Sequence, residues 1–129
     1  MNDVVQIQLP LKPEFLPVLQ GAVGVIAGTN DFGYDEIMQL RAAVSEVFEL
    51  GISQLMPQPE GLGINELSID FNILTEGLEI LITPSEDCPR SLDCSEDEET
   101  QAVLNSLMDE VEHNSNKAAV RMVKYRSMP

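Results

Sequence analysis

Few residues in this chain could do chemistry, and they are scattered. Glu46 lies inside the strongest helical pattern, Cys88 and Cys94 share an acid-rich stretch, and His113 is the single histidine. Two thiols and a distant imidazole lack the paired spacing of a zinc site. Free thiols are expected rather than a disulfide if the chain works in a reducing compartment. The glycine-rich run GAVGVIAG, residues 21–28, lacks the lysine and Ser/Thr of a phosphate loop and does not sit between a strand and a helix. Its glycines are read structurally, as close packing against a neighbour or as a helix C-cap at Gly28. Attention therefore falls on Glu46. A lone helix carboxylate is first a solvated or hydrogen-bonded residue, and it becomes catalytic only with partners at the right spacing.

The segment that must position Glu46 runs from Tyr34 to Met56. Ile37, Leu40, Val44, Val47, Phe48, Gly51 and Leu55 recur at three- and four-residue steps, the stripe of an amphipathic helix. Asp35 and Glu36 put negative charge in the first turn, where the helix dipole favours it, and Pro57 and Pro59 end it. Before it, VVQIQL over Val4–Leu9 alternates as an edge or second-position strand. A helix is then expected from about Pro13 to Gly28, buried through Phe15, Leu16, Leu19, Ala22, Val23, Ile26 and Ala27.

Downstream, ELSIDFNIL over Glu66–Leu74 alternates, with Leu67, Ile69, Phe71 and Ile73 on one face. A turn at Glu76-Gly77 returns the chain into LEILIT, Leu78–Thr83, as an antiparallel hairpin. Residues 84–99 carry no apolar period; they are rich in acid with Arg90 as their one base, and are expected to form a mobile surface loop. A third helix is expected over about Glu98–Glu112, with Val103, Leu104, Leu107, Met108 and Val111 as its stripe. A turn at Asn114–Asn116 leads to a last strand, Ala118–Tyr125. Lys117, Arg121, Lys124 and Arg126, four of the seven bases, cluster here and are expected to balance acid across the sheet. The order β-α-α-β-β-α-β describes a two-layer α/β sandwich: about four mostly antiparallel strands in a mixed sheet, one face covered by about three helices and the other available to a partner.

At 129 residues the chain is read as one domain, residues 1–129, able to bury roughly two-thirds of its unfolded surface without a disulfide or metal. Seven basic residues against twenty-two acidic ones, a net charge of −15, argue against nucleic-acid binding, which needs a basic patch. The same charge would favour a basic protein partner, with acidic solubility the plainer reading. No apolar run approaches a membrane span and no secretion signal is recognisable, so a cytoplasmic location is expected.

The order and wording of these segments resemble the anti-sigma-factor serine kinases of the GHKL ATPase superfamily, the SpoIIAB and RsbW type. IQLPLKPEFLPVLQGAVGVIAG resembles the family's first strand and its P-x-x-x-x-x-x-R helix, and FGYDEIMQLRAAVSEVFELGI resembles the helix that bears the N-box. LSIDFNILTEGLEILI resembles the sheet hairpin, and LNSLMDEVEHNSNKAAVRMVKY the last helix and strand. The resemblance spans nearly the whole chain and implies a GHKL, Bergerat-like fold.

The resemblance also implies a nucleotide site, and this chain departs from it. The N-box pairs a glutamate that activates the attacking group with an asparagine four residues on, which holds Mg²⁺. Glu46 matches the first; Leu50 stands at the second. The family's D-x-G, whose aspartate binds the adenine amino group, falls at ITPSEDC, with Pro84 about where the aspartate belongs. The Gly-x-Gly that cradles phosphate at the start of the last helix reads EDEETQ, where Glu96, Asp97, Glu98 and Glu99 repel a triphosphate. The expectation is a kinase fold without the kinase: Glu46 a vestige of the catalytic glutamate, no cofactor and no metal. The partner is then a sigma factor, a STAS-type antagonist or a second copy. The alternative is an active ATP-dependent serine kinase with divergent motifs, using ATP and Mg²⁺, with Asp87 or Asp93 as the adenine acceptor. A further possibility is an α/β module that shares only the fold.

Overall fold

Two alternating segments and their turn build the centre of the sheet. The computed structural model describes residues 3–55, 66–84, 97–113 and 119–126. The connector 57–63 with its two prolines, Cys88 and Cys94, Asp87 and Asp93, the turn at 114–116, and residues 85–96 of the acidic stretch lie outside the described residues. Strand β1 is Val4–Pro10, followed by a 3-10 turn at Pro13–Phe15. Helices α1, Leu16–Thr29, and α2, Tyr34–Leu55, come next, then strands β2, Glu66–Ile73, and β3, Gly77–Pro84. Helix α3, Glu98–Leu107, precedes β4, Glu110–His113, and β5, Val120–Tyr125.

The described strands form one five-stranded sheet in the order β1-β2-β3-β5-β4, with every neighbouring pair antiparallel. This corrects the expected sheet in two ways: it has a fifth strand, and among the described pairs none is parallel. Leu67, Ile69 and Phe71 of β2, Leu78, Ile80 and Ile82 of β3, and Val120 and Met122 of β5 point to one side. There they meet Leu19, Val23 and Ala27 of α1, Leu40, Val44, Val47 and Phe48 of α2, and Leu104 of α3 in one apolar cluster. Period-two and period-3.6 apolar stripes thus close on each other, which is the two-layer solution.

The expected helix from Glu98 to Glu112 is shorter. It stops at Leu107 because Met108 turns extended, with ψ of 155°, and the chain enters β4. Asp109 N–H donates to the Val123 carbonyl and the Lys124 ammonium donates to the Leu107 carbonyl at 2.8 Å, so β5 supplies the stop. Lys124 therefore neutralises the negative end of a helix rather than an acidic side chain. The acidic stretch likewise loses its ends: Pro84 belongs to β3, and Glu98 and Glu99 to α3.

The first helix also differs from expectation. Pro13 opens a 3-10 turn rather than the helix itself, and α1 closes in a Schellman geometry. Phe32 N–H donates to the Ala27 carbonyl and Asp31 N–H to Gly28, with Asp31 in the left-handed region at φ 67°. Gly28 is therefore not the cap. A Cβ on Gly21 or Gly24 would meet nothing within 4 Å, so close packing does not explain those glycines. Helix α2 starts as its sequence suggests: the Gly33 N–H donates to Glu36 Oε1 at 3.0 Å, one half of a capping box.

The face of the sheet away from the helices carries a charged lattice. Glu79 is buried; it accepts from Arg121 Nε at 2.6 Å and from Asn72 Nδ2 at 2.6 Å. Arg121 also lies 3.5 Å from Glu110 and 3.7 Å from Glu112. Burial pulls the Arg121 guanidinium down, but the hydrogen bond and charge of Glu79 outweigh it and hold it above its ordinary value. The Tyr125 hydroxyl donates to Glu110, which lowers the Glu110 carboxyl and raises the Tyr125 phenol.

The Glu110–Tyr125 pair gives stability a signature at both ends of the pH scale. Glu110, lowered in the fold, contributes above its unfolded value and loses that contribution as pH falls through its folded one. Tyr125, raised in the fold, contributes below its unfolded value and loses it as pH rises through its folded one. Urea unfolding across pH should show both losses, and Tyr125→Phe, which deletes the shared hydrogen bond, should remove the alkaline loss, shrink the acid one and lower the neutral midpoint slightly.

Candidate functional site

Of the residues singled out by type and spacing, Glu46 and Leu50 lie together on α2. Glu46 is half-buried, one turn before Leu50. Its Oε1 accepts from the hydroxyl of Thr100 at 3.3 Å, which ties the middle of α2 to the first turn of α3. Thr100 is buried, and its own N–H donates to Asp97 Oδ1 at 3.0 Å, so Asp97 is the N-cap of α3. One of the free N–H groups that make a helix N-terminus attractive to a phosphate, that of Thr100, is met here by a carboxylate of the chain. Glu98 and Glu99 stand exposed beside it.

Leu50 is half-buried and packs against the apolar core. It offers no oxygen to a cation. Pro84 is the last residue of β3 and pairs with Leu67 of β2, where its ring supplies neither a donor nor a carboxylate. His113 lies in β4, an edge strand of the sheet, opposite Val120. Among the described residues no three His, Cys, Asp or Glu side chains converge as a metal site. No helix among them is long and apolar enough to cross a membrane.

A groove of about 350 Å³ opens beside Glu46, lined by Gln20 of α1 and by Met38, Arg41, Ala42, Ser45 and Glu49 of α2. A hydrogen-bonded chain closes its floor. Gln20 Nε2 donates to Ser45 Oγ at 2.9 Å, and Ser45 donates to the Arg41 carbonyl one turn back at 2.7 Å. Arg41 Nη1 lies 3.8 Å from the Met38 sulfur, and its buried Nε finds no partner among the described residues.

Sequence reasoning marked Glu46, Leu50 and Pro84 but missed Thr100 and Gln20. Gln20 was legible: counting seven residues on from Pro13 puts it where the helix pattern has arginine. Asp97 was legible too, as an acid directly before a helix. Thr100 was not, because its partner lies 54 residues away and leaves no local trace.

No family model matches the chain. Its relatives among curated proteins include serine-protein kinases. It is 24% identical to the serine-protein kinase RsbW of Bacillus subtilis, over 95% of this chain and 86% of that kinase. It is 28% identical to the serine-protein kinase RsbW of Listeria innocua and 27% identical to that of Bacillus licheniformis, over 64% and 66% of this chain. In those two alignments the chain spans about half of the relative, 51% and 52%. The matches are a distant and partial homology that ties the chain to kinase-like proteins at the level of a superfamily.

Proposed function

We infer that this chain is a non-catalytic regulatory binding protein, related to anti-sigma-factor serine kinases and acting through contacts with another protein. The observation that carries this reading is Leu50. It stands where the resemblance requires a magnesium-holding asparagine, one turn beyond Glu46, and its side chain packs against the core. A hydrocarbon cannot replace an oxygen ligand for a hard cation. The first turn of α3 supports the same reading, because Asp97, Glu98 and Glu99 put negative charge where the triphosphate would lie. Glu46, with an oxygen engaged by Thr100, is then a joint between α2 and α3 rather than a base.

The residues present do not suit ATP with Mg²⁺, so no phosphoryl-transfer step is derived for them. The reading retains a GHKL-type fold in a single cytoplasmic domain, with a sigma factor or a STAS-type antagonist as the partner and a second copy as a further one. The distant similarity to serine-protein kinases over 95% of the chain favours a second reading, an active kinase with divergent motifs. In it Glu46 is the base and Asp87 or Asp93 the adenine acceptor. Incubation of the purified chain with ATP, Mg²⁺ and a STAS-domain protein separates the two. Mass spectrometry should find the STAS serine unmodified; phosphate on that serine would overturn the proposal.

A further inference from the structure

The two edges of the sheet are built differently. The β4 edge is short, four residues, and carries Glu110 and Glu112. Short, charged edge strands are how proteins prevent unwanted pairing. The β1 edge has neither protection. It runs seven residues, Val4–Pro10, without a charged side chain, and its register with β2 is unbroken by a bulge. Val4 is 52% exposed and Val5 37%.

The hydrogen-bond phase shows which groups of β1 are left unused among the described residues. The Ile73 N–H donates to the Asp3 carbonyl at 2.8 Å, which makes that pair a bonded one. Bonded pairs recur at every second residue of an antiparallel ladder. Val5, Ile7 and Leu9 therefore carry the bonds to β2, while the N–H and C=O groups of Val4, Gln6 and Gln8 point away from the sheet. The Pro10 carbonyl, next in that row, is taken by the Lys12 N–H at 2.9 Å, so the free row ends there.

We propose that β1 is a docking edge for an extended segment of a different, basic protein, which adds as a sixth strand. Charge selects the occupant. Asp70 lies directly opposite Gln6, and Glu66 opposite Pro10, on the face away from the helices. Asp70 Oδ1 is buried and has no hydrogen-bond partner among the described residues. Lysine or arginine side chains of an added strand would extend over Gln6 and Gln8 toward these carboxylates. A second copy would instead bring another net charge of −15 to the same edge. Backbone bonds supply affinity in this recognition mode and alternate side chains supply selectivity. The proposal stands on the topology of β1 and does not depend on whether the chain binds nucleotide.

The test uses a short synthetic peptide of alternating lysine and valine. Its control is the same peptide with alternate backbone nitrogens methylated, equal in charge but unable to form a ladder. The first peptide should slow amide hydrogen exchange at Val4, Gln6 and Gln8 and leave β4 unchanged; the methylated one should do neither. Gln6→Pro removes an outward N–H that β2 does not use, and should weaken binding about tenfold or more while β2 and β3 stay protected. Gln6→Lys keeps the backbone intact and should weaken the same peptide by repulsion. Equal binding of both peptides, protection on β4, or no protection at millimolar peptide would overturn the proposal. So would a dimer of the unmixed chain, seen by light scattering, that Gln6→Pro converts to a monomer.

Discussion

Gly77→Ala should cost about 3 kcal/mol of stability and loosen β3 from β5. Gly77 opens β3 directly opposite Tyr125. A Cβ there would collide with the Lys124 carbonyl oxygen and lie 2.9 Å from the Tyr125 Cα. Backbone atoms of a paired strand cannot swing aside as the end of a side chain can. The same turn is held by Leu74 N–H on the Gly77 carbonyl and by Arg126 N–H on the Glu76 carbonyl, both at 2.9 Å. The Arg126 guanidinium extends from there over the Phe32 ring at 5.8 Å and donates to the Thr75 carbonyl. Displacing β5 would therefore disturb the α1–α2 turn as well. Gly21→Ala is the matched control. Gly21 sits on the exposed side of α1 with open space around it, so alanine there should stabilise by about 0.5–1 kcal/mol. Urea midpoints that move in opposite directions would support the geometry; a neutral Gly77→Ala would contradict the β3–β5 register.

Removing Arg121 should be nearly as damaging, for an electrostatic reason. Glu79 is 8% exposed, and its carboxylate accepts from Arg121 and Asn72. Arg121→Met takes the guanidinium away from that buried carboxylate and should cost about 2–3 kcal/mol. The cost lies in the desolvated carboxylate that stays behind more than in the lost attraction. The double variant Arg121→Met with Glu79→Gln should therefore recover most of it, because a neutral amide is far cheaper to bury. Glu110 and Glu112 stand more exposed, with side chains 44% and 58% accessible, so their single changes to Gln should barely move the midpoint. A double variant as unstable as the single one would mean that Arg121 acts through its aliphatic stem.

What could be read from the chain was whatever local periodicity carries. The stripe Leu40, Val44, Val47 and Phe48 forms the buried face of α2, and the alternation Leu67, Ile69, Phe71 forms the buried face of β2. Both segments are long enough to override ambiguity. Strand β4 was not legible. Leu104, Leu107, Met108 and Val111 keep helical spacing through it, and Glu110 and Glu112 are ordinary helix formers. Pairing with β5 decides the matter, together with the Lys124 ammonium on the last carbonyl of α3. Tertiary bonds of this kind override propensity and leave no periodic trace.

The site divides in the same way. Glu46 and Leu50 were found because four-residue spacing on a helix is a local pattern. The Thr100 hydroxyl that meets Glu46 comes from α3, across the acidic stretch. Lys124 was read as a partner for acid, because a base in a strand next to acidic segments suggests an ion pair. The acceptor is instead a backbone carbonyl, which has no identity in the sequence.

The central claim is that the kinase-like framework persists here without its nucleotide chemistry. Calorimetric titration of the purified chain with ATP and Mg²⁺, repeated with ADP, tests it most directly. The account predicts no heat of binding and no thermal stabilisation at millimolar nucleotide. Magnesium-dependent binding in the micromolar range would contradict it, and would place the adenine and phosphate contacts in residues other than Leu50, Pro84 and the first turn of α3.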